Sequence, residues 1–196
     1  THNIHKQTEM NFILSGLGVT VIGLDQFPEI KSIEETGTTL IENALIKART
    51  VYKITGLPSL ADDTGLEVDV LDGAPGVYSA RFAGENPTFE DNVNKMLTAL
   101  SGIPDDKRTA RFRTALAFVD SNSELCEEGV IEGKITEKPR GEDGFGYDPI
   151  FEPANETKTF AEMANEKKNR ISHRARALEK MQKTLKHYFE KGVSID

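Results

Sequence analysis

Apolar residues at Leu40, Ile41, Ala44, Leu45, Ala48, Val51 and Tyr52 recur every three or four positions, the period of one helix face. Thr38 or Thr39 stands where an N-cap belongs, and Gly56 and Pro58 stop the run, so the pattern predicts a helix over residues 40–55. Residues 6–15 and 88–100 show the same period, the second entered through Pro87 and Thr88. Strand-like stretches lie at 19–24 (VTVIGL), 59–62 (SLAD), 66–70 (LEVDV), 108–120 and 124–135. The SNS between the last two marks a hairpin. DDTG (62–65) reads as a turn between SLAD and LEVDV, and DGAPG (72–76) as a loop. A Gly-rich loop covers 138–149, and a charged helical region closes the chain over about 159–190. Helices and strands alternate without an internal repeat, which predicts an α/β fold with a mixed sheet.

The chain has 196 residues, the size of one domain. Hydrophobic residues make up 37% and charged residues 29%, a balance that supports a folded core rather than disorder. The net charge of −8 is opposite to the field of a duplex-binding protein. A polyanion would have to meet a local basic cluster or a metal ion instead. Cys126 is the only cysteine, so neither an intramolecular disulfide nor a thiolate metal site is available, which suits a reducing cytosol. No apolar run has the length of a membrane span, and no signal peptide appears. A cytoplasmic location is expected, with neither membrane nor nucleic acid as a partner.

Against that background the acidic pairs stand out. Asp62 and Asp63 are adjacent, and like charges side by side repel. In a strand, neighbouring side chains point to opposite faces, so one of the two serves a site and the other the turn or the surroundings of that site. Taken alone, the pair is an Asx turn with a solvated carboxylate. Glu34 and Glu35 form a second pair ahead of the 40–55 helix, where the helix dipole already favours acids. Together the two pairs suit Mg²⁺, which takes a few carboxylates and fills its shell with water and phosphate oxygens. No His/Cys cluster points to zinc.

Four further features carry weight only in combination. Lys47 lies four residues after Asn43, on the same helix face. THNIHK (1–6) is a short polar segment before a helix, a place where backbone N–H groups bind phosphate. GFGYDP (144–149) sets Phe145 and Tyr147 among glycines, which let a backbone approach a ligand while an aromatic ring stacks on a base. Lys168, His173 and Arg174 form a basic group in KKNRISHRARAL, ready to meet a ligand's polar edge. Neither GEDGFG nor GVIEGKI has the spacing of a dinucleotide fingerprint or a P-loop.

THNIHK, EETGTTLIENALIKA, LADDTGLEVDVLDGAPGVYSARFAG, GEDGFGYDPIF and ISHRARAL, in that order and spacing, resemble the inosine/xanthosine triphosphate pyrophosphatase family over nearly the whole chain. The resemblance implies an elongated α/β fold with two lobes, a mixed sheet and a cleft, working as a homodimer. It implies Mg²⁺-dependent hydrolysis of deaminated purine triphosphates (ITP, dITP, XTP) to monophosphate and pyrophosphate, which cleanses the nucleotide pool. By the same resemblance Asp63 is the general base and a metal ligand, with Asp62 beside it in the motif. Glu34 or Glu35 supplies the other metal carboxylate. Thr1, His2, Asn3, Ile4, His5 and Lys6 form the triphosphate-binding turn, Lys47 faces the phosphates and Thr64 contacts substrate. Phe145, Gly146, Tyr147 and Asp148 form the base-stacking loop, while Lys168, His173 and Arg174 read the purine. The family carries a strand ahead of the T-x-N-x-x-K segment, where this sequence begins, and often has glycines where His2 and His5 stand.

The implied chemistry sets Asp63 to deprotonate a water that attacks the α-phosphorus. Donors on His173 and Arg174 facing a 6-oxo group would discriminate against adenine, whose amine leaves them unpaired. Two alternatives remain at this level: a related pyrophosphatase with another base preference, and a non-catalytic nucleotide sensor. A substrate panel separates the first, and Mg²⁺-dependent pyrophosphate release excludes the second.

Overall fold

The computed structural model describes residues 10–11 and 14–190. Most of the helix expected over residues 6–15 and the whole THNIHK segment lie outside the described residues; Met10, Asn11 and Leu14 are helical. Helix α1 spans Leu40–Thr55, with Thr39 as N-cap and Gly56, at φ 70°, as C-cap. Its cap is reciprocal: the Thr39 hydroxyl accepts from the Glu42 N–H at 3.1 Å, and the Glu42 carboxylate accepts from the Thr39 N–H at 3.2 Å. Helix α2, Phe89–Ala99, is capped in the same way by Thr88 and Asp91. The C-terminal helical region divides into α3, Asn165–Ile171, and α4, His173–Glu190, at Ser172, whose backbone is extended.

Among the described residues five strands form one sheet: β1 Ser59–Val68, β2 Pro75–Gly76, β3 Thr109–Val119, β4 Glu124–Ile135 and β5 Phe151–Pro153. Their order is β2-β1-β3-β4-β5. The α/β class is as expected; among the described residues the sheet is antiparallel, where a mixed one was expected. The β3–β4 hairpin turns at Asp120, whose carboxylate accepts from the N–H groups of Asn122 and Ser123 at 2.8 Å each.

Two local expectations are overturned. DDTG is not a turn: β1 runs through it without a break. A ladder along ten residues of β1 outweighs the local turn preference of Asp and Gly. VTVIGL is not a strand: Val19–Gly23 carries no ladder, and Leu24–Gln26 is a short 3₁₀ turn. Strand geometry needs a neighbour. Val21 instead donates its N–H to the Asn11 side chain at 3.1 Å. Val19, Val21 and, from β1, Leu60 line a cavity of about 540 Å³.

The chain makes two compact units. One comprises the described residues up to 63 with 114–129 and 174–190, the other 64–113 and 130–173. Each has its own apolar core. Leu116, Phe118, Leu178 and Met181 centre the first, with Met10 and Leu14 against them. Leu66, Met96, Leu100, Phe151 and Phe160 centre the second. Each such side chain contributes roughly 1.5–3 kcal/mol on burial.

Candidate functional site

In the first unit, α1 and β1 bring their polar residues together. Asn43 and Lys47, one turn apart on α1, both reach Asp63 in the middle of β1. The Lys47 ammonium donates to Asp63 Oδ1 at 2.8 Å and to Glu35 Oε1 at 2.9 Å. Asn43 donates its Nδ2–H to Asp63 Oδ2 at 3.2 Å, and its Oδ1 accepts the Gly37 N–H at 2.8 Å. Both oxygens of Asp63 are therefore held. A carboxylate has about four lone-pair sites, so each oxygen keeps capacity for another donor.

The electrostatics follow from burial. Burial pushes the Asp63 carboxyl above its ordinary value and Glu35 adds to this, against the pull of Lys47 and Asn43. Burial also works against the charge on Lys47, but Asp63 and Glu35 outweigh it and hold the ammonium above the ordinary lysine value. The result is a charged lysine beside a carboxylate that takes up a proton more readily than a free aspartate does.

Adjacent residues of an extended strand diverge, and Asp62 does so. It is buried and forms an ion pair with Arg174 Nε of α4 at 3.6 Å. The paired aspartates thus have separate sets of partners: Lys47 and Asn43 for Asp63, Arg174 for Asp62. Glu35 is half-buried and Glu34 exposed, so of the two glutamates it is Glu35 that joins the cluster.

The second unit holds the aromatic loop. Phe145 is 41% exposed, and its N–H donates to Asp148 Oδ2 at 2.8 Å. Lys168 donates to the same oxygen at 2.5 Å and lies 5.2 Å from the centre of the Phe145 ring. Gly144 has φ 82°, and a Cβ there would stand 2.1 Å from Asp148 Oδ2. Asp148 thus ties the loop to Lys168 and requires glycine at 144. Tyr147 turns inward and donates its hydroxyl to the Ser79 carbonyl at 2.9 Å; burial pushes its phenol well above the ordinary value. His173 is buried and stacks on Phe112 at 4.7 Å and 19°. Gly146 completes the loop at φ 63°, and Thr64 follows Asp63 in β1, half-buried.

The structure therefore gathers Glu35, Lys47, Asp62, Asp63 and Arg174 in one unit and Phe145, Asp148, Lys168 and His173 in the other. Thr1, His2, Asn3, Ile4, His5 and Lys6 lie outside the described residues. Sequence reasoning used Asn43 only to mark the helix face of Lys47. The available signal was an amide among the apolar positions of α1.

Asp63 and Glu35 both touch one cationic nitrogen, so both carboxylates reach a single point. Among the described residues no group of three or more His, Cys, Asp or Glu is placed to hold a metal ion. Two carboxylates with room left for water and phosphate oxygens fit Mg²⁺ and not a closed zinc site.

The family model described as Ham1 family matches residues 1–184. The dITP/XTP pyrophosphatase of Thermoanaerobacter pseudethanolicus is 50% identical over 194 residues, covering 98% of this chain and 96% of that protein. The dITP/XTP pyrophosphatase of Escherichia coli O157:H7 is 45% identical over 190 residues, covering 95% and 96%. The solved structure of a HAM1 protein from Coxiella burnetii superposes with a TM-score of 0.89 at 43% identity, covering 95% of this chain and 96% of that one.

Proposed function

The chain belongs to the Ham1 family, and from that we propose that it hydrolyses deaminated purine nucleoside triphosphates (ITP, dITP and XTP) to monophosphate and pyrophosphate in the presence of Mg²⁺. The relatives support the substrate class. The observation that carries the chemistry is the Lys47 ammonium shared between Asp63 and Glu35.

In this reading Asp63 takes the proton of a water aligned on the α-phosphorus. The water oxygen bonds to that phosphorus, the α–β bridging bond breaks, and pyrophosphate leaves. Burial raises Asp63 above the ordinary aspartate value, which makes it a stronger base than a solvated aspartate. Lys47 neutralises phosphate oxygens, with Lys6 as the second cation of the reading. Asp63 and Glu35 would hold the Mg²⁺, which when bound neutralises the triphosphate and the leaving pyrophosphate. Asp62 fixes Arg174 rather than a turn. Phe145 offers its exposed face to the base, and Lys168, held by Asp148, lies beside it. A homodimer belongs to the same reading through the family resemblance, and a cytoplasmic location through the lone cysteine. The charge of −8 supports the absence of a nucleic-acid partner.

Hydrolysis in H₂¹⁸O tests the step. The reading expects ¹⁸O in the nucleoside monophosphate and none in pyrophosphate. Label in pyrophosphate, or release of single phosphates, contradicts it.

A further inference from the structure

Asn43 is fully buried in a helix whose other buried residues are Leu40, Ala44 and Ala48. An amide in such a place needs both ends satisfied, and both are. The Gly37 N–H can only donate, so it fixes Oδ1 toward the loop at 2.8 Å and leaves the NH₂ for Asp63 Oδ2 at 3.2 Å. Lys47 meets the other oxygen of Asp63 and reaches Glu35. The loop, α1 and β1 are therefore joined by two rungs, Gly37–Asn43–Asp63 and Glu35–Lys47–Asp63, that start two residues apart on the loop.

The two rungs differ in kind. Lys47 carries charge and will share its ammonium with phosphate oxygens once a triphosphate is present. Asn43 is neutral and directs both of its polar ends into the protein. The loop is also seated tightly. A Cβ on Gly37 would lie 2.7 Å from Asn43 Oδ1 and 2.7 Å from Glu42 Cβ, closer than side chains tolerate, and a tight 3.0 Å from the Asn43 backbone nitrogen.

We infer that Asn43 is a positioning residue: its amide clamps the acidic loop at Gly37 to Asp63 and keeps that carboxylate oriented while Lys47 engages the substrate. The kinetic half of this inference rests on the proposed hydrolysis; the clamp itself does not. No side chain of the same size replaces the amide. Aspartate keeps the acceptor toward Gly37 but sets an oxygen against Asp63. Leucine fills the space and makes neither bond.

The test uses Asn43→Asp, Asn43→Leu and Gly37→Ala. It measures kcat and KM separately on ITP with Mg²⁺, and amide hydrogen exchange at residue 37 by NMR in the substrate-free protein. Asn43→Asp is expected to lower kcat about 10–100-fold, the usual effect of losing a partner that orients a reacting group, with KM little changed and Gly37 still protected. Asn43→Leu is expected to lower kcat similarly and to speed Gly37 exchange. Gly37→Ala, which wedges the same contact from its other end, is expected to share the kcat loss. Wild-type kcat in Asn43→Asp, a loss confined to KM, or Gly37 protection unchanged in Asn43→Leu overturns the inference. Should the wild type hydrolyse no triphosphate, the proposed function fails, and Gly37 exchange in Asn43→Leu still decides the clamp. Should Asn43→Leu not fold, the kcat/KM split in Asn43→Asp and Gly37→Ala decides instead.

Discussion

Lys47 Nζ lies 2.8 Å from Asp63 Oδ1, although sixteen residues separate them in sequence. The lysine comes from the middle of α1 and the aspartate from the middle of β1, both regular elements that fix their side chains more tightly than loops do. The side chains are only 19% and 10% exposed, so this pair has lost most of its solvent screening.

Removing one member of such a pair leaves a buried charge without compensation. Lys47→Met is therefore expected to destabilise the protein by about 3–5 kcal/mol. The double variant Lys47→Met/Asp63→Asn is expected to recover part of that loss, because the orphaned carboxylate is gone. A thermal-denaturation double-mutant cycle reads the coupling directly. Additive losses would show that the pair is not coupled.

The two adjacent aspartates are expected to fail in different ways. Asp63→Asn should lower kcat about 10²–10⁴-fold, the range for loss of a general base. Asp62→Asn should mainly lower the melting temperature, since its ion-pair partner Arg174 is buried with it. Steady-state kinetics beside thermal melts separate the two. Equal kcat losses would contradict the division of roles.

How far the sequence was legible depends on which forces are local. Helix α1 and its Thr39 cap, α2 and its Thr88 cap, and the long β3 and β4 follow from period and capping, which a short window contains. The continuity of β1 through Asp62–Gly65 does not, because the ladder that keeps it extended comes from distant strands. VTVIGL misled for the opposite reason: it has strand composition but no ladder partner among the described residues. Strand β5 is three residues ending in Pro153, too short for a period, and it pairs only at the end of the sheet. At the site, residue types pointed to Asp63, Lys47 and the glutamates. The choice of Glu35 over Glu34, and the bridge made by Asn43, needed the packing of the loop on α1. The burial of the Tyr147 and His173 rings in the second unit is likewise something no local pattern announces.

Phe145→Ala is expected to raise KM for the triphosphate about 5–150-fold, the span that corresponds to roughly 1–3 kcal/mol for a base stacked on an aromatic ring. Because its ring is exposed, folding should change little. A melting curve matching wild type with an unchanged KM would remove Phe145 from the base site.

Three capping carboxylates set an acid dependence of stability. Hydrogen bonds from Thr38 hold Glu42 below its ordinary value, those from Thr88 do the same for Asp91, and those from the Thr159 backbone for Glu162. A carboxylate lowered in the folded state favours folding above its unfolded pKa, and that contribution is lost as pH falls through the folded pKa. Stability is thus expected to fall through and below the ordinary carboxylate range. In Glu42→Gln that fall should be shallower, and urea melts across this pH range measure the slope. An unchanged slope would show that the Glu42 cap does not titrate with folding.

The central claim is tested most directly by pyrophosphate release from ITP, XTP, GTP, ATP and dUTP, each with Mg²⁺ and with EDTA, in the wild type and in Asp63→Asn. The account expects release from ITP and XTP with Mg²⁺, its loss in EDTA, and its loss in the variant. No release from any triphosphate by a folded wild type that still binds them, or undiminished release in Asp63→Asn, would contradict it.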